Sequence, residues 1–243
     1  MGTKNKDLII IRNPKSLFAE AIRSIRTNLA FAALDKDIKI IMNTSPEAGD
    51  GKSFITANLA VAYAQEGKKV LVIDCDLRRG RQHHIFNVDN PSDGGYTNLM
   101  LNYKEEMKLK DYVYKTDTPN LSLLTTGPTP PNPVELLTST KNKKLISKFR
   151  NMYDMVILDC PPTVGLSDTT IMTTLSDANV VVVSCNKTKM ESLDRLVKIF
   201  NQVNAPITGV VFNNAFSKKS GYYGYYYYND KYHEHKKRKK KKK

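Results

Sequence analysis

Lys52 and Ser53 close the run Ser45-Pro46-Glu47-Ala48-Gly49-Asp50-Gly51-Lys52-Ser53, where two glycines, a lysine and a hydroxyl have the spacing a phosphate site needs. In a glycine-rich turn from strand to helix, successive backbone N–H groups point at an anion, and the helix N-terminus adds positive potential. The backbone of Glu47, Ala48, Gly49, Asp50, Gly51, Lys52 and Ser53 would cradle the phosphates of a nucleotide. Lys52 would reach the outer ones, and the Ser53 hydroxyl can bind Mg²⁺. Two acidic motifs follow: Leu71-Val72-Ile73 leads into Asp74-Cys75-Asp76-Leu77-Arg78, and Val156-Ile157-Leu158 into Asp159-Cys160-Pro161-Pro162. Carboxylates at strand ends beside a phosphate loop can hold Mg²⁺ and its waters. They can also accept a proton from an attacking hydroxyl. Candidate hydroxyls crowd one short stretch near the C-terminus: Tyr222, Tyr223, Tyr225, Tyr226, Tyr227, Tyr228 and Tyr232.

Each part alone is a weak signal. A strand-terminal aspartate is more often a cap than a catalyst, and Pro46 replaces the usual first glycine of the loop. The loop, Asp-x-Asp-x-Arg and apolar-Asp-x-Pro stand in this order, each after an apolar run. That combination points to nucleotide binding.

The elements that must hold these residues alternate along the chain. Residues 16–34 read as an amphipathic helix with Leu17, Ala21, Ile25, Leu29 and Ala32 on one stripe. Short β-branched runs follow at 38–44, 70–74, 121–125, 155–159, 180–184 and 207–213. Helical patterns at 53–66, 141–151, 167–175 and 189–204 separate most of them. Strands that are apolar throughout are buried on both faces, and their alternation with helices predicts a mostly parallel sheet. The expected fold class is α/β, a P-loop NTPase-like three-layer α/β/α sandwich over 16–215. A short extension at 1–15 precedes it, and a flexible tyrosine-rich, polybasic tail at 216–243 follows. The proline-rich segment 127–133 reads as a stiff loop within the domain.

At 243 residues the chain can bury a full core. Its net charge of +14 suggests a nucleic-acid binder until the charge is located. Nine Lys/Arg against one Glu lie in 231–243, so most of the basicity is a tail property and no nucleic-acid groove is expected. Cys75, Cys160 and Cys185 are odd in number and lack metal-ligand spacing, and all three read as small buried thiols. No apolar run approaches the roughly 18–20 residues needed to span a bilayer.

The motifs resemble those of the bacterial tyrosine kinases. Residues 49–53 resemble Walker A, Asp74-x-Asp76-x-Arg78 resembles Walker A′, and Ile157-Leu158-Asp159 resembles Walker B. The similarity continues through Gly127-Pro128-x-Pro130-Pro131-Asn132-Pro133 and Gly209-Val210-Val211-Phe212-Asn213 to the tyrosine cluster. Glu20-x-x-Arg23-x-x-Arg26 is similar to the family's oligomerisation motif. The resemblance implies an ATP- and Mg²⁺-dependent autokinase that phosphorylates the tail tyrosines of a neighbour in a ring-like homo-oligomer. It also implies control of capsular or extracellular polysaccharide synthesis and export. A separate membrane activator, a polysaccharide co-polymerase, would recruit the cytoplasmic chain to the inner face of the membrane. A cognate phosphotyrosine phosphatase and exogenous protein substrates belong to the same picture.

The resemblance also implies residue roles. Lys52 would bridge the β- and γ-phosphates, Ser53 and Asp159 would hold Mg²⁺ directly or through water, and Asp76 would support the ion. Asp74 would take the tyrosine proton, because a free tyrosine titrates near ~10 and is a poor nucleophile at neutral pH. Arg78 would stabilise the transferring charge, and Asn213 would contact adenine. Ala48 departs from the family, where many relatives have proline. Two alternatives stay open at this level. Deviant-Walker ATPases of the spatial-partitioning kind share these motifs but carry a lysine where Glu47 stands. A non-catalytic ATP-binding adaptor would not need the intact Lys52, Ser53, Asp74, Asp76 and Asp159.

Overall fold

The computed structural model describes residues 6–32, 37–163, 165, 167–185 and 187–215. The fold is the unit Met1–Asn213; of a second unit, Asn214–Lys243, only the first two residues are described. The seven tail tyrosines lie outside the described residues.

The chain runs α1 (Ile9–Arg12), α2 (Leu17–Ala32), β1 (Ile40–Thr44), α3 (Lys52–Gln65), β2 (Val70–Asp74), α4 (Gln82–Phe86) and α5 (Gly95–Asn102). It continues with β3 (Tyr114–Lys115), β4 (Leu121–Leu124), α6 (Pro133–Thr138), α7 (Thr140–Met152), β5 (Met155–Asp159), α8 (Asp168–Thr173), β6 (Ala178–Ser184), α9 (Met190–Gln202) and β7 (Gly209–Asn213). The strands form one sheet in the order β3-β4-β2-β5-β1-β6-β7, parallel throughout except for the short edge strand β3.

Strand side chains alternate between faces, so an all-apolar strand feeds two cores. Ile41, Val72 and Ile157 point to one core with α1–α4, whereas Met42, Ile73 and Leu158 point to the other with α5–α9. This is the three-layer sandwich that the alternation predicts, and it is a P-loop NTPase-like fold. The helix after the phosphate loop, α3, is buried almost all round, which its alanines at 57, 60, 62 and 64 make possible.

Three details differ from the sequence reading. In α2 the buried residues are Ala19, Ile22 and Leu29, while Leu17 and Ala32 are exposed. A stripe read every four residues drifts about 40° per step around a helix. Steps of three and four keep one face, and that face meets α1 and α3. Leu8 and Ile10, within the expected extension, join the core: Ile10 is fully buried and its N–H donates to Asn58 Oδ1 at 3.1 Å. Cys185 is exposed, unlike Cys75 and Cys160, because it lies just beyond the end of β6. The 127–133 segment stays irregular up to Asn132, and Pro133 then opens α6 at the helix position where its missing N–H costs nothing.

Candidate active site

The phosphate loop leaves the end of β1 and enters α3 at Lys52. Gly49 and Gly51 take left-handed φ of 84° and 98°, which side chains rarely adopt. A Cβ at Gly51 would lie 2.1 Å from Asn213 Nδ2, so the loop is tight as well as twisted. Its shape is set by bonds to the β6–α9 connection and the end of β7. Buried Asp50 accepts the Glu47 N–H at 2.8 Å and the Thr188 hydroxyl at 2.9 Å. Lys187 Nζ donates to the Ala48 carbonyl at 2.6 Å, and Asn213 Nδ2 to the Asp50 carbonyl at 2.8 Å. Glu47 Oε1 accepts the Ser192 hydroxyl at 2.6 Å, which holds its carboxyl below the usual range.

The acidic motifs converge beneath the loop. Register pairs Asp74 of β2 with Asp159 of β5, and Asp159 with Asn43 of β1. Lys52 Nζ lies 3.2 Å from Asp159 Oδ1, 3.3 Å from Asp76 Oδ2 and 3.2 Å from Ser53 Oγ. Burial opposes the lysine's charge, but the carboxylates of Asp159, Asp76 and Asp74 outweigh it and raise its pKa. Asp74 has no exposed surface, and its carboxyl is pushed up to about 8, first by burial and then by the Asp159 charge. Its Oδ2 accepts the Gln82 N–H at 2.9 Å and its Oδ1 the Asp76 N–H at 3.3 Å. The thiol of Cys75 is also pushed up, by burial and by its contact with Cys160, so it packs as a neutral group.

A cavity of 620 Å³ opens beside these groups. The loop residues Gly49, Gly51, Lys52 and Ser53 line one side, and Asp76 and Arg78 line another. Asp76 therefore faces the cavity while Asp74 lies under it. Arg78 Nε is 3.3 Å from Asp168 Oδ2 at the start of α8, which fixes the guanidinium at the rim.

The structure thus brings Lys52, Ser53, Asp74, Asp76 and Asp159 together and sets Arg78 at their edge. Asn213 packs against the back of the loop. Glu20, Arg23 and Arg26 lie on α2, outside this cavity. Arg23 bonds Glu20 at 2.5 Å and the Pro14 carbonyl at 2.9 Å. Arg26 instead turns toward α3, bonding the Ala62 carbonyl at 3.0 Å and Glu66 at 2.8 Å.

Sequence reasoning misses Gln82. Its amide Nε2 donates to Asp159 Oδ2 at 2.8 Å and to the Ser53 carbonyl at 3.0 Å, while its N–H serves Asp74. One residue thus ties together the loop and both acidic motifs. The available signal is faint: a polar residue opening a helix just after an Asp-x-Asp-x-Arg motif. Lys187, Thr188 and Ser192 carry no motif at all.

The residues fit a magnesium nucleotide. Gly49, Gly51, Lys52 and Ser53 line the cavity, and Ser53, Asp76 and Asp159 offer the hard oxygen donors Mg²⁺ prefers. Among the described residues no cluster of three His, Cys, Asp or Glu side chains could hold a metal unaided. Mg²⁺ is usually held by one or two carboxylates together with phosphates and water.

A family model described as an AAA domain matches residues 38–211. The chain is 39% identical to tyrosine-protein kinase YwqD of Bacillus subtilis over 222 residues, covering 90% of this chain and 92% of that protein. The crystal structure of the chimerical protein CapA2B2 is similar with a TM-score of 0.81 and 36% identity, over 88% of this chain and 92% of that one. The kinase domain of the Escherichia coli tyrosine kinase ETK gives a TM-score of 0.83 at 29% identity, over 90% of this chain and 84% of that one.

Proposed function

This chain belongs to the bacterial tyrosine-protein kinases, and we propose that it transfers the γ-phosphoryl group of ATP to the tyrosines at 222–232 of a neighbouring copy. One observation carries the reading. The Lys52 ammonium is centred among Ser53, Asp76 and Asp159, and Asp159 stands in register with the buried Asp74 carboxyl at the end of the next strand. That gathers a phosphate-binding cation and a candidate proton acceptor in one site.

Bound Mg·ATP supplies the phosphoryl group and the counter-charge. The chain's own residues do the rest. The 47–53 backbone binds phosphate, Lys52 follows the outer phosphates, and Ser53, Asp76 and Asp159 hold the metal. Asp74 takes the proton from the tyrosine hydroxyl at its carboxyl oxygens. Arg78 stabilises charge at the rim, and Asn213 stands where adenine would contact the fold.

Glu47 favours this reading over a partitioning ATPase. A carboxylate bonded to Ser192 cannot reach across a dimer interface as a lysine would. In the proposed setting the copies form a ring through Glu20, Arg23 and Arg26. The chain works in the cytoplasm beneath a membrane activator, and a phosphatase resets the tail. The output is control of capsular or extracellular polysaccharide synthesis and export, with other protein substrates besides the tail. No helix among the described residues is long and apolar enough to cross a membrane.

The test mixes Lys52→Met chains having the full tail with active chains lacking residues after Ser220, in Mg·ATP with the activator's cytoplasmic segment. The inactive chains should become positive to anti-phosphotyrosine. If they stay blank although the two forms co-assemble, transfer between copies is wrong.

A further inference from the structure

Three arginines within four residues line the same cavity: Arg78, Arg79 and Arg81. Their charges are not equally committed. Arg78 is paired with Asp168, and Lys52 is paired with Asp76 and Asp159. Arg79 and Arg81 are exposed, and among the described residues neither side chain has a hydrogen bond or ion pair. The cavity therefore holds two uncommitted guanidinium groups.

Their backbone is fixed against the catalytic carboxylates. Gly80 stands between them, and a Cβ added there would lie 2.7 Å from Asp74 Oδ2. Immediately after Arg81, the Gln82 N–H bonds the same oxygen. The two arginines thus flank the place where an acceptor hydroxyl must meet Asp74. Phe54 and Ile85 line the same cavity and supply an apolar wall beside the cations.

A guanidinium pair next to an apolar wall suits a ligand with an aromatic ring and a terminal phosphate. The chain carries such a ligand in latent form. Its tyrosines at 222–232 are so close-set that any phosphorylated one has an unmodified neighbour within a residue or a few. Before modification, the stretch 222–232 carries one Asp and one Lys and is about neutral, so it offers the two arginines little attraction. Each phosphate adds about −1.5 to −2 charges and makes the stretch anionic.

We propose that Arg79 and Arg81 form a phosphotyrosine subsite beside the acceptor position, holding one modified tail tyrosine while the next enters. The proposal rests on the kinase reading above and deepens it. The first transfer to a chain is then the slow one, and later transfers to the same tail are favoured. The arginines also offset the repulsion between a bound phosphotyrosine and the phosphates of the donor.

The test uses the full chain, dephosphorylated and without ATP, and a fluorescent peptide spanning 220–230. One version is unmodified, one carries phosphate on Tyr225, and one carries Glu there. Anisotropy should show the phosphopeptide binding at least about tenfold more tightly than the unmodified peptide, as charge-assisted contacts to two guanidinium groups imply. The Glu version should gain only a small part of this. In Arg79→Ala/Arg81→Ala the preference should fall to within about twofold, and in Arg79→Lys/Arg81→Lys it should survive in part. Both variants change exposed side chains, and circular dichroism checks their fold. An undiminished preference in the alanine variant overturns the proposal. So does a parallel loss of binding to a fluorescent ATP analogue, which would assign the arginines to the nucleotide. Anti-phosphotyrosine blotting of the wild-type chain with Mg·ATP and activator separates the two claims. A blank blot with the peptide preference intact would sink the kinase reading and leave the subsite standing.

Discussion

Asp74 and Asp159 end neighbouring parallel strands in register, and Gln82 holds both: its N–H is 2.9 Å from one carboxylate and its amide nitrogen 2.8 Å from the other. Two like charges at that proximity cannot both be free of cost, and the strain falls on the fully buried Asp74.

The first prediction follows from that carboxyl. Its pKa is raised from 3.8 to about 8, so between those values the folded state binds a proton that the unfolded state has released. Stability from this group is complete below the ordinary carboxylate range and is lost as pH rises through about 8. Thermal melts should therefore show Asp74→Asn gaining stability relative to wild type as pH increases across that window. Wild-type autophosphorylation should rise over the same window, because the base works only when deprotonated. A flat stability difference would refute the raised pKa.

Lys52→Met should abolish tail phosphorylation, since it removes the side-chain cation of the phosphate loop. It also leaves Asp76 and Asp159 without their shared partner. Breaking a buried pair in this way costs about 3–5 kcal/mol. Mg²⁺ should recover part of the lost melting temperature, which differential scanning calorimetry can read. Asp74→Ala should lose activity too while keeping more ATP affinity; equal loss in both variants would make Asp74 chiefly a metal-site residue.

Gln82 touches no bound group directly and acts as a positioning residue. Gln82→Ala should lower kcat by about 10–100-fold, as for other side chains that orient metal-binding carboxylates. The KM for ATP should change far less. Gln82→Glu should be worse than Gln82→Ala, because it adds a third buried acid beside Asp74 and Asp159. Initial rates against ATP concentration decide it: an unchanged kcat removes Gln82 from the mechanism.

Arg23 and Arg26 should separate on mutation. Both are proposed for assembly, but Arg26 also bridges α2 to α3 through Ala62 and Glu66. Arg26→Ala should cost about 1 kcal/mol of stability as well as weakening the oligomer. Arg23→Ala should weaken the oligomer alone, because its partners Glu20 and Pro14 are local and exposed. Light scattering with thermal melts distinguishes the two, and an unchanged oligomer in the double variant refutes the assignment.

The sandwich and the convergence of Lys52 with Asp74, Asp76 and Asp159 are legible in the sequence because strand-loop motifs fix both local geometry and sheet position. An apolar run ending in aspartate places that carboxyl at the ligand-binding edge of a parallel sheet. Gln82, Lys187, Thr188 and Ser192 are not legible. Their contacts depend on which loop crosses which strand end, and that is a property of strand order rather than of spacing. The same limit explains α5 and α6, short helices with weak periodicity that cover one face. It explains Arg26 as well, since a charged residue on a helix declares its partner only when the neighbouring helix is in place.

The phosphate loop is fastened at both ends of the site: Gln82 and Lys52 tie its end to the carboxylates, and a second set of bonds holds its beginning. Glu47, Ala48 and Asp50 are tied to Ser192, Lys187, Thr188 and Asn213, all on or beside β6, α9 and β7. The carboxylates it must meet belong to β2 and β5, across β1 from that edge. The catalytic centre therefore draws on both sides of β1 within one continuous sheet. The bonds from Ser192, Lys187, Thr188 and Asn213 shape residues 47–50, and those of Gln82 and Lys52 seat the end of the same loop over the acids.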